Sequence, residues 1–289
     1  MLVNTDWLGD HLEDEDLVLV DLRWREDGSG KARFDAGHIP GARFVDWTTD
    51  IVDGDHRFAF MLARPEQFSQ AMGRLGISDE SVVVAYADDH GSGPHRLWWG
   101  SRVYGHDNVR VLDGGLAKWV AEGRPLSTLV PRVQSANWTP RTSTGLVATS
   151  ADVTAAASEP GVVLDSRPPE QFRGTTVWFE TGAIAADADG IARTPRGELR
   201  AGRVPWAANV PASTLYRADF TMKTGAELDA VLRPTGALDA ERVVTYCGVG
   251  ISASALLFAV TMAGVREASL YDGSWDEWGR DPSLPVTRG

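Results

Sequence analysis

The sequence holds a single cysteine among 289 residues. That excludes an intramolecular disulfide and a zinc site built from several thiolates. A reducing compartment is the simple expectation. Positive charge is also scarce: 28 Lys and Arg stand against 40 Asp and Glu, a formal net charge of −12. Nucleic acid is therefore not expected as a partner, because phosphate binding needs a basic surface. A local cation can still hold a small anionic substrate. Long apolar runs are missing as well, since none reaches the roughly 18 residues a membrane helix needs. The opening stretch "MLVNTDWLGDHLEDEDLVLVDLRW" has no basic start and no long apolar core. Neither a secretory signal nor a membrane association is expected, and the reading is cytoplasmic. There is no Gly-Lys-Ser or Gly-Lys-Thr, so no phosphate loop is expected. The stretch "DADGIARTPRGE" (187–198) lacks the ligand spacing of a calcium loop. It reads as a hairpin turning at Asp189-Gly190, and no motif calls for a metal or a cofactor.

What is present is ordinary in composition, with 43% hydrophobic and 24% charged residues, and long enough for two domains. The chain also repeats itself. "DLVLVDLRWRE" (16–26) is matched by "GVVLDSRPPEQF" (161–172), and "DAGHIPGARFVDW" (35–47) by "RAGRVPWAANVPA" (200–212). "SVVVAYADDHGSGPHRLWW" (81–99) is matched by "RVVTYCGVGISASALLFAV" (242–260), and "VRVLDGGLAKW" (109–119) by "ASLYDGSWDEW" (268–278). Tyr86 to Trp119 spans 33 positions and Tyr246 to Trp278 spans 32. Four blocks in one order imply a duplicated domain. Each copy alternates short β-rich runs with helical stretches, the pattern of an α/β fold with a mainly parallel sheet flanked by helices. We place the domains at 1–125 and 148–289, with a Pro-, Ser- and Thr-rich linker at 126–147. The halves differ in length. Asp21 to His38 is 17 positions and Asp165 to Arg203 is 38, so the second half carries about 21 extra residues within 174–202. The tryptophans Trp98, Trp99, Trp119, Trp275 and Trp278 read as packing, and His38 reads as a turn-fixing residue.

Cys247 falls where the strand "RVVTY" runs out and before a helix expected over 252–264, with Ser252 at its start. This is the edge at which α/β sheets bind ligands. Gly248-Val249-Gly250-Ile251 joins the two. Glycines permit positive φ and close backbone approach, so successive N–H groups and the positive end of the helix would form a cradle for an anionic sulfur. Such a cradle makes a cysteine nucleophilic without a histidine base. A free cysteine is also commonly a small core residue. The repeat weighs against that reading here, because the first half carries Ala87 followed by Asp88 and Asp89, carboxylates that would repel an anion. One half reads as active and the other as inert.

The order of these blocks resembles the two-domain rhodanese-like sulfurtransferases over nearly the whole chain. "DAGHIPGARFVDW", "VLDGGLAKWVAEGRPLS" and "YDGSWDEW" resemble that family's signatures, and "CGVGISA" resembles the active loop of its 3-mercaptopyruvate branch. The resemblance implies tandem rhodanese-like domains and an enzyme that passes sulfur through a persulfide on Cys247. Gly248, Val249, Gly250, Ile251 and Ser252 would form its cradle. The donor would be a small anionic sulfur compound, 3-mercaptopyruvate first and thiosulfate as the alternative. The acceptor would be cyanide or a thiol, such as thioredoxin or a low-molecular-weight thiol. In "FRGT", Arg173 matches a donor-binding arginine. Arg196 best matches a second, with Arg193 and Arg200 as alternatives. The chain departs from the family in two places. In the loop, Gly248 and Val249 are neutral where the thiosulfate branch has basic side chains, and Val249 stands where the animal mercaptopyruvate branch often has serine; Phe60 replaces a histidine of that same branch. Ser252 would bond the sulfur or cap the helix, the cap being favoured. Trp178 and Phe179 would pack over the site or anchor the hairpin. A phosphatase on the same fold is disfavoured because the loop lacks a phosphate-gripping arginine. A non-catalytic sulfur carrier needs the same cradle and stays open.

Overall fold

The computed structural model describes every residue except Asp89, His90, Glu180 and Thr181. Two compact units form, each discontinuous in sequence. The first holds Met1–Gly54, Leu62–Thr144 and Tyr216–Met222, and the second holds Asp55–Met61, Gly145–Leu215 and Lys223–Gly289. Each half of the sequence thus lends a seven-residue arm to the other unit. The stretch read as a linker lies almost entirely with the first unit. Trp138 explains this: it is buried against Phe68 and Tyr104. Around it, Arg141 and Ser143 donate their N–H groups to Tyr104 and Val103.

The first unit is built on five strands, β1 (Leu2–Val3), β2 (Leu17–Asp21), β3 (Arg43–Phe44), β4 (Val82–Tyr86) and β5 (Val109–Leu112). They lie in the order β1-β5-β4-β2-β3, all parallel. The central runs LVLVD and VVVAY are almost continuously apolar and buried, as strands covered on both faces must be. The second unit repeats this frame with β6 (Val147–Ala148), β7 (Gly161–Asp165), β12 (Ala208–Asn209), β13 (Arg242–Tyr246) and β14 (Glu267–Tyr271). Their order, β12-β7-β13-β14-β6, is that of the first sheet read from its β3 edge, and again all pairs are parallel. The register agrees too, since Asp21 pairs with Tyr86 and Asp165 with Tyr246. The duplication seen in the sequence is therefore a duplication of fold. Trp98, Trp99, Trp119, Trp275 and Trp278 are all core residues. His38 is buried, stacked on Phe34, and bonded through Nδ1 to the Phe34 carbonyl.

Both units share one buried ionic device. Arg23 and Arg167 reach back to Asp21 and Asp165 at the strand ends, with N···O distances of 2.6 Å in each. In each unit the backbone N–H of the arginine donates to the same carboxylate. The tyrosine that ends the neighbouring strand, Tyr86 or Tyr246, accepts the N–H of Ile39 or Val204. This ties the "GHIP" block, or its "GRVP" counterpart, to the strand end.

The extra residues of the second half form two antiparallel hairpins, β8 (Thr176–Phe179) with β9 (Gly182–Ala185) and β10 (Ile191–Thr194) with β11 (Gly197–Arg200). The turn expected at Asp189-Gly190 proves to join the hairpins rather than to close one. Asp187 Oδ1 accepts the N–H groups of Asp189 and Ile191 there, a side-chain turn of the Asx kind. The second hairpin closes instead at Pro195-Arg196. No helix among the described residues is long and apolar enough to cross a membrane.

The first unit's core carries a pH dependence. His95 is buried edge-on to the Tyr216 ring, and burial lowers its pKa from 6.5 to about 3. The folded state keeps the ring neutral, whereas the unfolded chain takes a proton below 6.5. The stability this group contributes is complete above pH 6.5 and is lost as pH falls toward 3, by up to about 1.4 kcal/mol per pH unit. Chemical denaturation between about pH 7 and about pH 5 should show wild type losing stability more steeply than His95→Gln.

Candidate active site

Cys247 follows β13 directly and is 2% exposed. The helix Ile251–Met262 begins four residues later, with Gly250 as its N-cap at φ 81°. That left-handed conformation favours glycine; Gly248 is not left-handed. A Cβ at 248 would meet only Trp178 Cε3, at 3.9 Å. The helix is buried from Ala253 to Val260, so its start is fixed by packing. Gly250 offers no side-chain cap, which leaves the first-turn amides without one and the positive end of the helix facing the loop.

The loop is held by its carbonyls. Trp275 and Asp276, at the start of the helix Ser274–Trp278, donate their N–H groups to Cys247 and Gly248, both at 2.9 Å. Among the described residues, the N–H groups of Gly248 and Val249 have no backbone partner. With the Cys247 and Gly248 carbonyls tied and the Gly248 and Val249 amides without a backbone partner, the loop suits an anion at the cysteine.

Ser274 is a determinant that sequence reasoning missed. Its Oγ accepts the Cys247 N–H at 3.1 Å and donates to the Tyr271 carbonyl at 2.8 Å. Ser274 is fully buried and left-handed, at φ 49°. The first unit has Gly115 at φ 53° in the matching place of its Asp-Gly-Gly motif. The difference between "DGG" and "DGS" is the signal that could have revealed it. The second unit accepts a conformation unfavourable to a side chain and obtains a hydroxyl bonded to the cysteine's own amide.

Ser252 is not the helix cap. It lies inside the first turn, and its hydroxyl meets that of Ser166 at 2.9 Å. Ser166, next to the Asp165–Arg167 pair, also donates its N–H to the Tyr246 carbonyl. Ile251 and Val249 are buried, so the loop presents no charged side chain.

The candidate arginines differ in placement. Arg173 ends the short helix Pro169–Arg173 and is exposed, just where Gly174 at φ 80° turns the chain into β8. Arg196 is exposed at the turn of the second hairpin. Nothing in its backbone bonding, to Thr194 and Arg280, ties it to the cysteine loop. Arg193 pairs with Asp187. Arg200 is bound by the carbonyls of Trp278, Gly279, Asp281 and Leu284, a structural role. In the first unit, the loop after Ala87 is held as in the second: Leu116 and Ala117 donate to the carbonyls of Ala87 and Asp88. Asp88 forms an ion pair with Arg25, so its charge is compensated rather than free to repel an anion. Asp89 lies outside the described residues.

The profile of the rhodanese-like domain matches residues 4–122 and 149–281. The chain belongs to the rhodanese-like family. It carries the domain twice and is an enzyme of the sulfurtransferase class. It is 32% identical to the sulfur carrier protein TtuD of Thermus thermophilus, over 100% of this chain and 97% of that protein. It is likewise 32% identical to the 3-mercaptopyruvate sulfurtransferase of Escherichia coli, over 98% and 96%. To the putative thiosulfate sulfurtransferase SseB of Mycobacterium tuberculosis it is 33% identical, over 94% and 90%. The crystal structure of SseA from Escherichia coli, described as a 3-mercaptopyruvate sulfotransferase, superposes with a TM-score of 0.80 at 31% identity, covering 95% of this chain and 98% of that one.

Ser274 yields a paired prediction. Ser274→Ala keeps the left-handed strain and leaves the buried Cys247 N–H unsatisfied, a loss of about 2–3 kcal/mol. Ser274→Gly loses the same bonds but relieves the backbone, so it should cost about 1 kcal/mol less. Urea unfolding of the two variants checks the order.

Proposed function

We propose that the chain is a 3-mercaptopyruvate sulfurtransferase working through a persulfide on Cys247. The observation that carries this reading is the position of its single thiol. It lies at a strand end, beside the N–H groups of Gly248 and Val249, which have no backbone partner, and a twelve-residue helix with no side-chain cap. The Cys247 thiolate attacks the sulfur of 3-mercaptopyruvate. The carbon–sulfur bond breaks, and its electron pair stays on carbon as the enolate of pyruvate. The enolate takes the proton from the transferred sulfur and leaves as pyruvate, so Cys–S–S⁻ remains. The thiolate of an acceptor, such as thioredoxin or a low-molecular-weight thiol, then attacks the outer sulfur. It departs as its own persulfide and restores the Cys247 thiolate. Cyanide would take the same sulfur as thiocyanate.

The amides of residues 248–252 hold the persulfide anion as an oxyanion hole holds oxygen. Arg173, exposed at the end of its helix, binds the donor carboxylate through its planar fork, with Arg196 as a second cation. The neutral loop favours 3-mercaptopyruvate, whose carboxylate is set back from its sulfur. Thiosulfate, a compact dianion, gains most from cations beside the sulfur, and this loop offers none. The name of the Escherichia coli relative supports that choice. The name of the mycobacterial relative keeps thiosulfate as the second reading, under the same persulfide.

Steady-state kinetics with both donors tests the assignment. We expect a higher kcat/KM with 3-mercaptopyruvate. Arg173→Ala should lower it roughly ten- to a hundredfold, the loss of one charge-assisted contact. Val249→Lys should move preference toward thiosulfate. Asp88→Asn, in the unit without a cysteine, should stay within about twofold, below the scale of a lost neutral hydrogen bond. A wild-type enzyme clearly faster with thiosulfate overturns the donor assignment.

A further inference from the structure

The arm Asp55–Met61 comes from the first half of the sequence but belongs to the second unit. It docks on the helix that holds the cysteine loop. The Ala59 N–H donates to Asp276 Oδ2 at 2.9 Å, and Asp276 is itself buried, with its other oxygen bound to Arg280. The Asp276 N–H donates to the Gly248 carbonyl. A single residue therefore anchors both the arm and the residue after the cysteine.

The anchor sets the position of the next residue. Phe60 is left-handed, at φ 55°, a conformation a bulky side chain adopts only when its surroundings enforce it. Its ring lies 6.3 Å from the ring of Trp178. Trp178 in turn lies against Gly248, as its Cε3 is 3.9 Å from where a Cβ there would be. Both aromatic side chains remain partly exposed. An apolar surface beside a nucleophile, held by a buried carboxylate and kept partly open to solvent, is an arrangement suited to a ligand's hydrocarbon part.

The first unit offers an internal comparison. Its borrowed arm, Tyr216–Met222, carries Phe220, left-handed at φ 65°. Phe220, Tyr216 and Met222 line a cavity with Ala87, the counterpart of Cys247, and that cavity is only ≈ 20 Å³. This is room for about one water. Phe220 is half-buried, as Phe60 is, so the two arms hold their rings alike, and it is the cysteine in the second unit's loop that gives such a surface a nucleophile to stand beside.

We infer that Phe60 and Trp178 form a specificity wall that contacts the carbon skeleton of the sulfur donor, so that donors with an organic chain are selected over inorganic ones. This deepens the reading of Cys247 as the sulfur-accepting residue and rests on it. Phe60 and Trp178 contact donor carbon, Asp276 is a positioning residue, and the anionic end of the donor is left to the arginines.

Equilibrium binding separates the wall from the chemistry. In a Cys247→Ser background, which binds donor without turnover, calorimetry measures 3-mercaptopyruvate and thiosulfate. Phe60→Gly removes the ring while suiting the left-handed backbone. It should weaken 3-mercaptopyruvate about tenfold, the scale of part of one aromatic face lost from an apolar contact. Thiosulfate, which has no carbon, should change less than about twofold. Trp178→Leu should act in the same direction, which keeps the test open if one variant folds poorly. Equal weakening of both donors, no change for 3-mercaptopyruvate, or no detectable binding of it before the Phe60 change overturns the wall. Persulfide formation on the unaltered cysteine is scored separately. Its absence would overturn the sulfur-transfer reading while leaving the binding result to stand or fall alone.

Discussion

The buried pair of Asp165 and Arg167 is the constraint on which the half that carries the cysteine depends. Burial by itself would lower the pKa of Arg167, but Asp165 and Tyr246 facing it raise it above the ordinary arginine value. The guanidinium lies 4.4 Å over the Trp275 ring and donates to the Gly202 carbonyl. One cation thus joins the end of β7, the helix that receives the cysteine loop, and the block after the inserted hairpins. Tyr246, whose pKa is raised by burial and then by Asp165, is the residue before Cys247. Removing one partner of such a pair typically costs about 3–5 kcal/mol because the other charge is left buried alone. The cysteine sits at the end of a strand that this network does not allow to shift.

The two units use the same frame for different ends. Asp21, Arg23 and Tyr86 reproduce the network around Ala87, where there is no thiol to place. Gly115 takes the left-handed turn at no steric cost, while Ser274 takes it at a cost and bonds the Cys247 N–H. The borrowed arms are alike in holding a half-buried, left-handed phenylalanine, Phe220 beside Ala87 and Phe60 in the unit with the cysteine loop. Duplication supplied two scaffolds, and only the second carries a cysteine in its loop.

The frame was legible in the sequence because each strand is a short β-branched run with its Asp-x-Arg or tyrosine at a fixed place, and those blocks recur. The start of the loop was legible for the same reason, since a strand pattern stops at Tyr246 and glycines follow. The details that escaped depend on contacts distant in sequence. The exchange of residues 55–61 and 216–222 between units leaves no trace in local periodicity. The hairpin turn was read at Asp189-Gly190 because that dipeptide favours turns, whereas the side chain of Asp187 uses it for a connection and Pro195-Arg196 closes the hairpin. Ser252 was read as a cap from residue preference, but Gly250 already turns the chain, and the hydroxyl goes to Ser166. Asp88 was read as a repulsive charge because Arg25, 63 positions away, could not be paired with it from sequence.

The central claim is that sulfur rests on Cys247 between donor and acceptor. Mass spectrometry of the full-length protein after brief treatment with 3-mercaptopyruvate tests this directly. The peptide containing Cys247 should gain one sulfur and lose it again when a thiol acceptor is added, and Cys247→Ser should neither gain sulfur nor transfer it. Transfer retained by Cys247→Ser, or an unmodified Cys247 in donor-treated wild type that turns over, would contradict the account.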